Sequence, residues 1–364
     1  MNSHVSRTFV PTLPACAYSS PDRHRLEFDK IFRRDWIYVL HKSQLPESGC
    51  FETFDIGEVP LLIVRGADDQ IRTFYNVCQH RGHILAEGRG QAGHFTCRYH
   101  AWTYQTDGTL RGAPGMRVEE LPACRKALRE VETYVRDGFV FVRLEPSEED
   151  FEEKFSGFFD ELHAKLPALS TLRFARRFTA EVDGNWKIMV ENYLECYHCS
   201  PTHPALTELM CIPEFRVDQK PWYVSTSAPA GKPDNSAFSY TPHEGMQTDF
   251  TGWGLFPNLT FNIFPGQQNL LIFHMLPLSA ERSVGICDYF FVDGQIDSEA
   301  EALMAWEGNI LEREDNELIV SAHRGMRSGA LESGIFVIDE ANHAVTEAPL
   351  AHFNMLFERA LARV

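Results

Sequence analysis

Two short segments carry paired metal-binding residues: Cys78-Gln-His80 and Cys97-Arg-Tyr-His100, separated by 16 residues. Two thiolates and two imidazoles suit a tetrahedral zinc ion. The usual zinc pattern, however, pairs Cys with Cys and His with His along the chain, whereas each segment here supplies one of each. Mixed pairs fit a [2Fe–2S] cluster in which one iron takes two thiolates and the other two imidazoles. Each loop then reaches both irons, and neutral imidazoles in place of anionic ligands raise the reduction potential. Gly82, Gly88, Gly90 and Gly93 would let backbone amides approach the cluster sulfurs, and His83 and His94 fall outside the ligand spacing. Gly88 to Gly93 also spells GxGxxG, but the following HFTC reads as a strand, so the dinucleotide fingerprint lacks its helix.

A second constellation lies in NWKIMVENYLECYHCSPTHPAL, residues 185–206. His198 and His203 with one carboxylate would form a 2-His-1-carboxylate face, which leaves iron open positions for O₂ and substrate. Residues five apart point in different directions on a regular helix, so the chain must break between them, and Pro201 and Pro204 supply the break. Glu195, three residues before His198, is close enough to hydrogen-bond its imidazole. For the carboxylate, Asp315 has Leu311, Leu318 and Ile319 at i−4, i+3 and i+4, apolar surroundings that make an unpaired charge costly. Glu314 is the alternative, and a solvated helix without metal is the other reading.

The elements that must position these residues follow from texture. Short β-branched and aromatic runs separated by turn signals fill residues 36–145, an all-β domain. Phe28, Ile31 and Phe32 follow the possible cap Ser20 at helical spacing. An acidic helical stretch, 147–165, marks the boundary. Beyond it come a strand in TLRFARRFTAEVDG, a helix from Trp186, aromatic-rich strands over 215–293, a long helix from Ser298 to Ala322 and a last helix over 347–363. Residues 229–249 form a polar loop that suits a lid. The expected organisation is an N-terminal helical segment (1–35) packed on the catalytic domain, a cluster domain (36–147) and a catalytic domain (148–364).

The chain has 364 residues and a formal net charge of −17, which disfavours phosphate backbones and argues against nucleic acid. No apolar run reaches the roughly 18–20 residues of a membrane helix. Nine scattered Cys without a secretion signal point to a reducing, bacterial cytoplasmic setting.

NVCQHRGHILAEG and FTCRYHAWTYQTDGTL resemble the Rieske domain of ring-hydroxylating and N-demethylating oxygenases, and Glu195-x2-His198-x4-His203 resembles the signature of that family's catalytic domain. The resemblance implies an α+β chain: an N-terminal all-β Rieske [2Fe–2S] domain and a catalytic domain whose antiparallel sheet is flanked by helices, helix-grip-like. It implies that Asp315 completes the mononuclear iron site. It also implies a homotrimer in which Glu195 carries electrons between subunits, linking His100 of one chain to His198 of the next. Most aromatic-ring dioxygenases have Asp at that position. Glu within N-Y-L-E-C-Y-H-C-x-x-x-H-P looks more like the carnitine, choline and glycine betaine monooxygenases.

The expected reaction is O₂-dependent hydroxylation or demethylation of a small quaternary ammonium or N-methylated compound. A quaternary ammonium held by aromatic faces gains about 2 kcal/mol or more when desolvated. Candidate rings are Tyr193, Tyr197, Trp253, Phe256, Phe261 and Phe264. Nothing resembles a flavin or nicotinamide site, so a separate flavin/iron–sulfur reductase must deliver electrons from NAD(P)H. An aromatic ring-hydroxylating or O-demethylating oxygenase is the alternative. A pure Rieske electron carrier would need none of Glu195, His198, His203 and Asp315.

Overall fold

In the computed structural model, which describes residues 7–363, the β-branched runs of the first half become strands joined by tight turns. Asp137-Gly138 is one such turn: both residues have positive φ, +53° and +93°, as a two-residue hairpin of this twist requires. A Cβ on Gly138 would also sit 2.3 Å from the His41 ring. The chain divides into two units, Phe32–Phe151 and a second comprising residues up to Ile31 together with Glu152 onward. These limits lie four residues outside the expected 36–147 at either end.

The first unit is a seven-stranded antiparallel sheet in the order Ile37–His41, Phe139–Arg143, Glu130–Arg136, Ile71–Tyr75, Val59–Arg65, Cys50–Ile56, Arg89–Gln91, with a three-stranded ribbon of His94–Thr96, Thr103–Gln105 and Leu110–Gly112. One apolar cluster, including Phe74, Phe95, Trp102 and Tyr104, lies beneath the ribbon and takes in Cys78 and Cys97. Gly88, Gly90 and Gly93 do not belong to the ligand loops. Arg89–Gln91 is a strand paired with Cys50–Glu52, and a Cβ on Gly90 would lie 3.1 Å from the Phe51 ring. His94–Thr96 is indeed a strand, so no helix follows GxGxxG.

The second unit is built on a seven-stranded antiparallel sheet in the order Leu172–Val182, Ser283–Val292, Asn269–Pro277, Leu259–Ile263, Asp249–Leu255, Tyr223–Pro229, Arg216–Gln219. Strand parity assigns its faces. Trp253 and Phe261 are cross-strand partners that pack on Phe158 of the helix Phe151–Lys165. On the other face, Gly252 and Gly254 let Tyr193 and Leu194 of the helix Trp186–Tyr193 and its cap approach; a Cβ would meet Tyr193 Oη at 2.7 Å and Leu194 Cδ2 at 2.5 Å. Asn185 caps that helix by accepting from the Lys187 amide.

Three elements differ from expectation. The long helix after Ser298 is Ser298–Trp306, a wide π turn over Glu307–Leu311, and Glu312–Arg327. The N-terminal segment is not only helical. Ser20 does cap the helix Pro21–Glu27, but Thr8–Pro14 is a strand paired with Ser333–Ile338. Its two prolines disguised it, and both are tolerated because a two-stranded ribbon has edges on both sides. Residues 230–248 line no part of the cavity described below; Phe238 and Tyr240 instead bury themselves beside Trp306.

The helix Trp186–Tyr193 is fixed to the N-terminal segment by a buried charge pair. Lys187 Nζ donates to Glu27 at 2.8 and 2.9 Å, Trp186 Nε1 donates to Glu27 Oε2 at 3.0 Å, and both charged side chains are at most 1% exposed. Arg23 Nε also donates to Glu27 Oε1 at 3.0 Å, so Glu27 keeps a counter-charge without Lys187, whereas Lys187 without Glu27 is left in the interior with no carboxylate bonded to it. Glu27→Ala is expected to destabilise this unit by about 3–5 kcal/mol, measured by chemical denaturation, whereas an exposed pair such as Arg282 with Glu181 contributes under about 1 kcal/mol.

Candidate active site

In the first unit the two ligand loops share one geometry. The Gly82 amide donates to Cys78 O and the Ala101 amide to Cys97 O, each at 3.0 Å, and both closing residues have positive φ. Cys78 and Cys97 are each 2% exposed, while His80 is half-buried and His100 exposed. The His80 and His100 ring centroids lie 4.7 Å apart, and His80 stacks on Trp102 at 4.9 Å. Tyr104 Oη lies 3.4 Å from Cys78 Sγ and accepts from the Gln79 amide. Two thiols inside and two imidazoles at the surface form a polarised donor set. It fits a cluster whose thiolate-bound iron is enclosed and whose imidazole-bound iron faces outward.

In the second unit the helix ends at Tyr193, so the chain turns before His198 as well as at His203-Pro204. Glu195 shapes this turn: Oε2 accepts from the Tyr197 and His198 amides, and Oε1 accepts from His198 Nδ1 at 2.5 Å. His203 is 1% exposed and its Nδ1 donates to Glu314 Oε2 at 2.8 Å. The inner nitrogens converge on Asp315: His198 Nε2 is 3.4 Å and His203 Nε2 3.0 Å from Oδ1. One ligating atom from each of His198, His203 and Asp315 lies within 4.8 Å of the others. Glu314, weighed as a possible ligand, instead orients His203, the usual task of a carboxylate behind a metal-bound imidazole.

The electrostatics agree with a cation site. Burial alone would lower the pKa of His198, but hydrogen bonds to Asp315 and Glu195 outweigh it and raise the imidazole to about 10. His203, against its own burial, moves up through its hydrogen bonds to Asp315 and Glu314, and Asp315, despite burial, is held below the usual carboxylate range by the two imidazoles. Three carboxylates around two imidazoles call for positive charge, and a divalent cation supplies it while leaving the imidazoles neutral. Two His and one carboxylate on one side suit iron(II) with open positions.

These groups stand at the wall of a cavity of about 130 Å³. Asp315 lines it with Glu312, Asn316 and Ile319, one face of the helix Glu312–Arg327. Its apolar walls include Leu206, Met210, Phe215, Phe250 and Leu271.

The ring-hydroxylating alpha-subunit catalytic domain matches residues 169–362, and the Rieske [2Fe–2S] domain matches residues 35–134. The carnitine monooxygenase oxygenase subunit of Escherichia coli (strain K12) is 30% identical over 349 residues, covering 95% of this chain and 92% of that protein. The chain belongs to the Rieske-type ring-hydroxylating oxygenases. The oxygenase also matches the glycine betaine monooxygenase oxygenase subunit of Pseudomonas aeruginosa (strain UCBPP-PA14), at 31% identity over 212 residues, 56% of this chain and 48% of that one. Among solved structures, the quaternary ammonium Rieske monooxygenase CntA in complex with L-carnitine aligns with a TM-score of 0.87 at 29% identity, covering 96% of both chains. No helix among the described residues of this chain is long and apolar enough to cross a membrane.

Only part of the aromatic set anticipated from sequence reaches the oxygenase cavity. Tyr193 and Phe264 line it. Trp253 and Phe261 do not, because parity turns them to the opposite face, where Trp253 Nε1 donates to Glu161 at 2.9 Å. Phe256 packs on Phe353 and Phe357 of the last helix, Ala348–Leu361, and Tyr197 is 52% exposed outside the lining. Phe215, Phe250 and Phe273 were missed. For Phe250 the signal was present, since it shares its parity with Gly252 and Gly254. Cys196 and Cys199 form a disulfide across the turn that carries His198; both are buried and their Cα atoms are 4.9 Å apart, within bridging range.

Proposed function

We propose that the chain is the oxygenase component of a two-component monooxygenase that hydroxylates or demethylates a small quaternary ammonium or N-methylated compound of the betaine, carnitine or choline type. The observation that carries this reading is the convergence of His198, His203 and Asp315 on one point at the wall of an apolar, aromatic cavity. The names of the relatives, which act on carnitine and glycine betaine, support the substrate class.

Cys78, His80, Cys97 and His100 would hold the cluster, and His198, His203 and Asp315 the iron. When bound, the two centres supply single electrons and the reductive activation of O₂. The rest is the chain's work. Glu195 and Glu314 hold the Nδ1 protons of His198 and His203, which fixes each ring and points Nε2 inward. Leu206, Met210, Phe215 and Leu271 exclude water, and Tyr193 and Phe264 offer rings to an N-methyl cation. Hydroxylation of an N-methyl carbon gives a hemiaminal that collapses to formaldehyde and the demethylated amine. Electrons come from NAD(P)H through a separate flavin/iron–sulfur reductase in the cytoplasm. The working unit is a homotrimer, in which Glu195 also accepts from His100 of the partner subunit.

Reductase-coupled O₂ uptake, with formaldehyde assayed, tests the reading across betaines, carnitine, choline-type amines and aromatic acids. Uptake dependent on at least one methylated amine is expected. Hydroxylation confined to the aromatic acids would overturn it.

A further inference from the structure

We propose that the substrate is a cation carrying no carboxylate, and that Glu307 is the counter-charge that holds it. This rests on the amine reading above and narrows it. Besides the two ligand histidines, the charged side chains lining the cavity are all acidic: Glu195, Glu307, Glu312 and Asp315; no Lys or Arg is among the described lining residues. Even with the two positive charges of ferrous iron counted, these four carboxylates and Glu314 leave the site negative.

Glu195 and Asp315 are committed to the imidazoles. Glu307 is not. Its hydrogen-bond partners are neutral donors, the Tyr289 hydroxyl and the Cys287 thiol, and the charges that act on it, Glu312 and Asp315, repel it. Burial first, with that repulsion added, pushes its carboxyl up to about 7. A carboxylate placed on a cavity wall with hydrogen bonds but no cation is stabilised by a ligand that brings one. Phe250, Phe264, Phe273 and Tyr193 surround the same space with aromatic carbon, which suits N-methyl groups.

A zwitterion such as carnitine or glycine betaine satisfies Glu307 with one end and brings a second carboxylate into a space that offers it no positive partner. Rejection by an unpaired charge discriminates strongly. The acidic lining therefore selects amino alcohols and simple methylated amines over amino acids.

The test is anaerobic calorimetry on the iron-loaded holoenzyme with choline, glycine betaine, L-carnitine and the uncharged choline isostere 3,3-dimethylbutan-1-ol, repeated on Glu307→Gln. Choline is expected to bind about 30-fold more tightly than either zwitterion. Glu307→Gln is expected to weaken choline by about 10-fold or more and to leave the neutral isostere within about 2-fold. Betaine or carnitine binding as tightly as choline would overturn the proposal while leaving the amine reading intact, and the wild-type comparison needs no variant. Equal weakening of choline and its neutral isostere would reduce Glu307 to a packing role and also overturn it. If no amine of either kind binds, the amine reading itself fails.

Discussion

Asp315→Ala is expected to leave about two irons per chain in place of about three, with the cluster's spectrum intact and substrate-dependent O₂ uptake abolished. The separation follows from the fold. Cys78, His80, Cys97 and His100 belong to one unit, and His198, His203 and Asp315 to the other, so the mononuclear site can be emptied without touching the cluster. Among the described residues, Asp315 is the one anion toward which both inner imidazole nitrogens point. Without it, two neutral ligands remain in a partly apolar wall, too few to retain the ion. Glu314→Ala should give a graded version, because it frees the His203 ring while keeping every ligand; iron affinity is expected to fall about 10- to 100-fold. Metal analysis after dialysis reads both outcomes. Three irons retained by Asp315→Ala would show that the carboxylate ligand has been misassigned.

Glu195→Gln is expected to keep both metals and lose coupled turnover by about 100-fold or more, the scale on which misplaced reaction partners cost rate. The substitution preserves shape and a carbonyl acceptor for the Tyr197 and His198 amides, so the turn survives. What it removes is negative charge facing His198 Nδ1 and, in the proposed trimer, the charge that would face His100 of the partner subunit. Two roles are separable by experiment. If Glu195 only steadies His198, saturating iron restores turnover; if it carries the electron path, iron-saturated enzyme still shows slow reoxidation of a prereduced cluster by stopped flow. Unchanged turnover would remove the bridge altogether.

How far each feature could be read from the chain depends on how local its cause is. The Cys/His segments and Glu195-x2-His198-x4-His203 are fixed by spacing within a few residues. Asp315 was separable from Glu314 because helical periodicity places one toward apolar neighbours and the other a quarter-turn away. The aromatic lining was not readable in this way. Parity with Gly252 and Gly254 separates Phe250 from Trp253 on one strand, but only the register with the next strand sets Phe261 opposite Trp253 and so off the cavity. The Thr8–Pro14 strand was hidden for a different reason: its partner lies more than 300 residues away, and neither strand alone has an alternating burial pattern strong enough to announce it.

The wide turn at Glu307–Leu311 sets the phase of everything after it. Glu307 and Asp315 are eight residues apart, which on an unbroken α-helix leaves their directions about 80° apart at 3.6 residues per turn. A π turn absorbs one residue, so the pair is in effect seven apart, two turns within about 20°. Asp315 and Glu307 therefore face the same side because of one surplus residue in the coil. A homologue of the same composition that lost that residue would keep its metal site and swing its counterpart of Glu307 off the cavity wall. In this fold, chain length at one turn is thus itself a determinant of selectivity, able to change between relatives with no exchange of side chains.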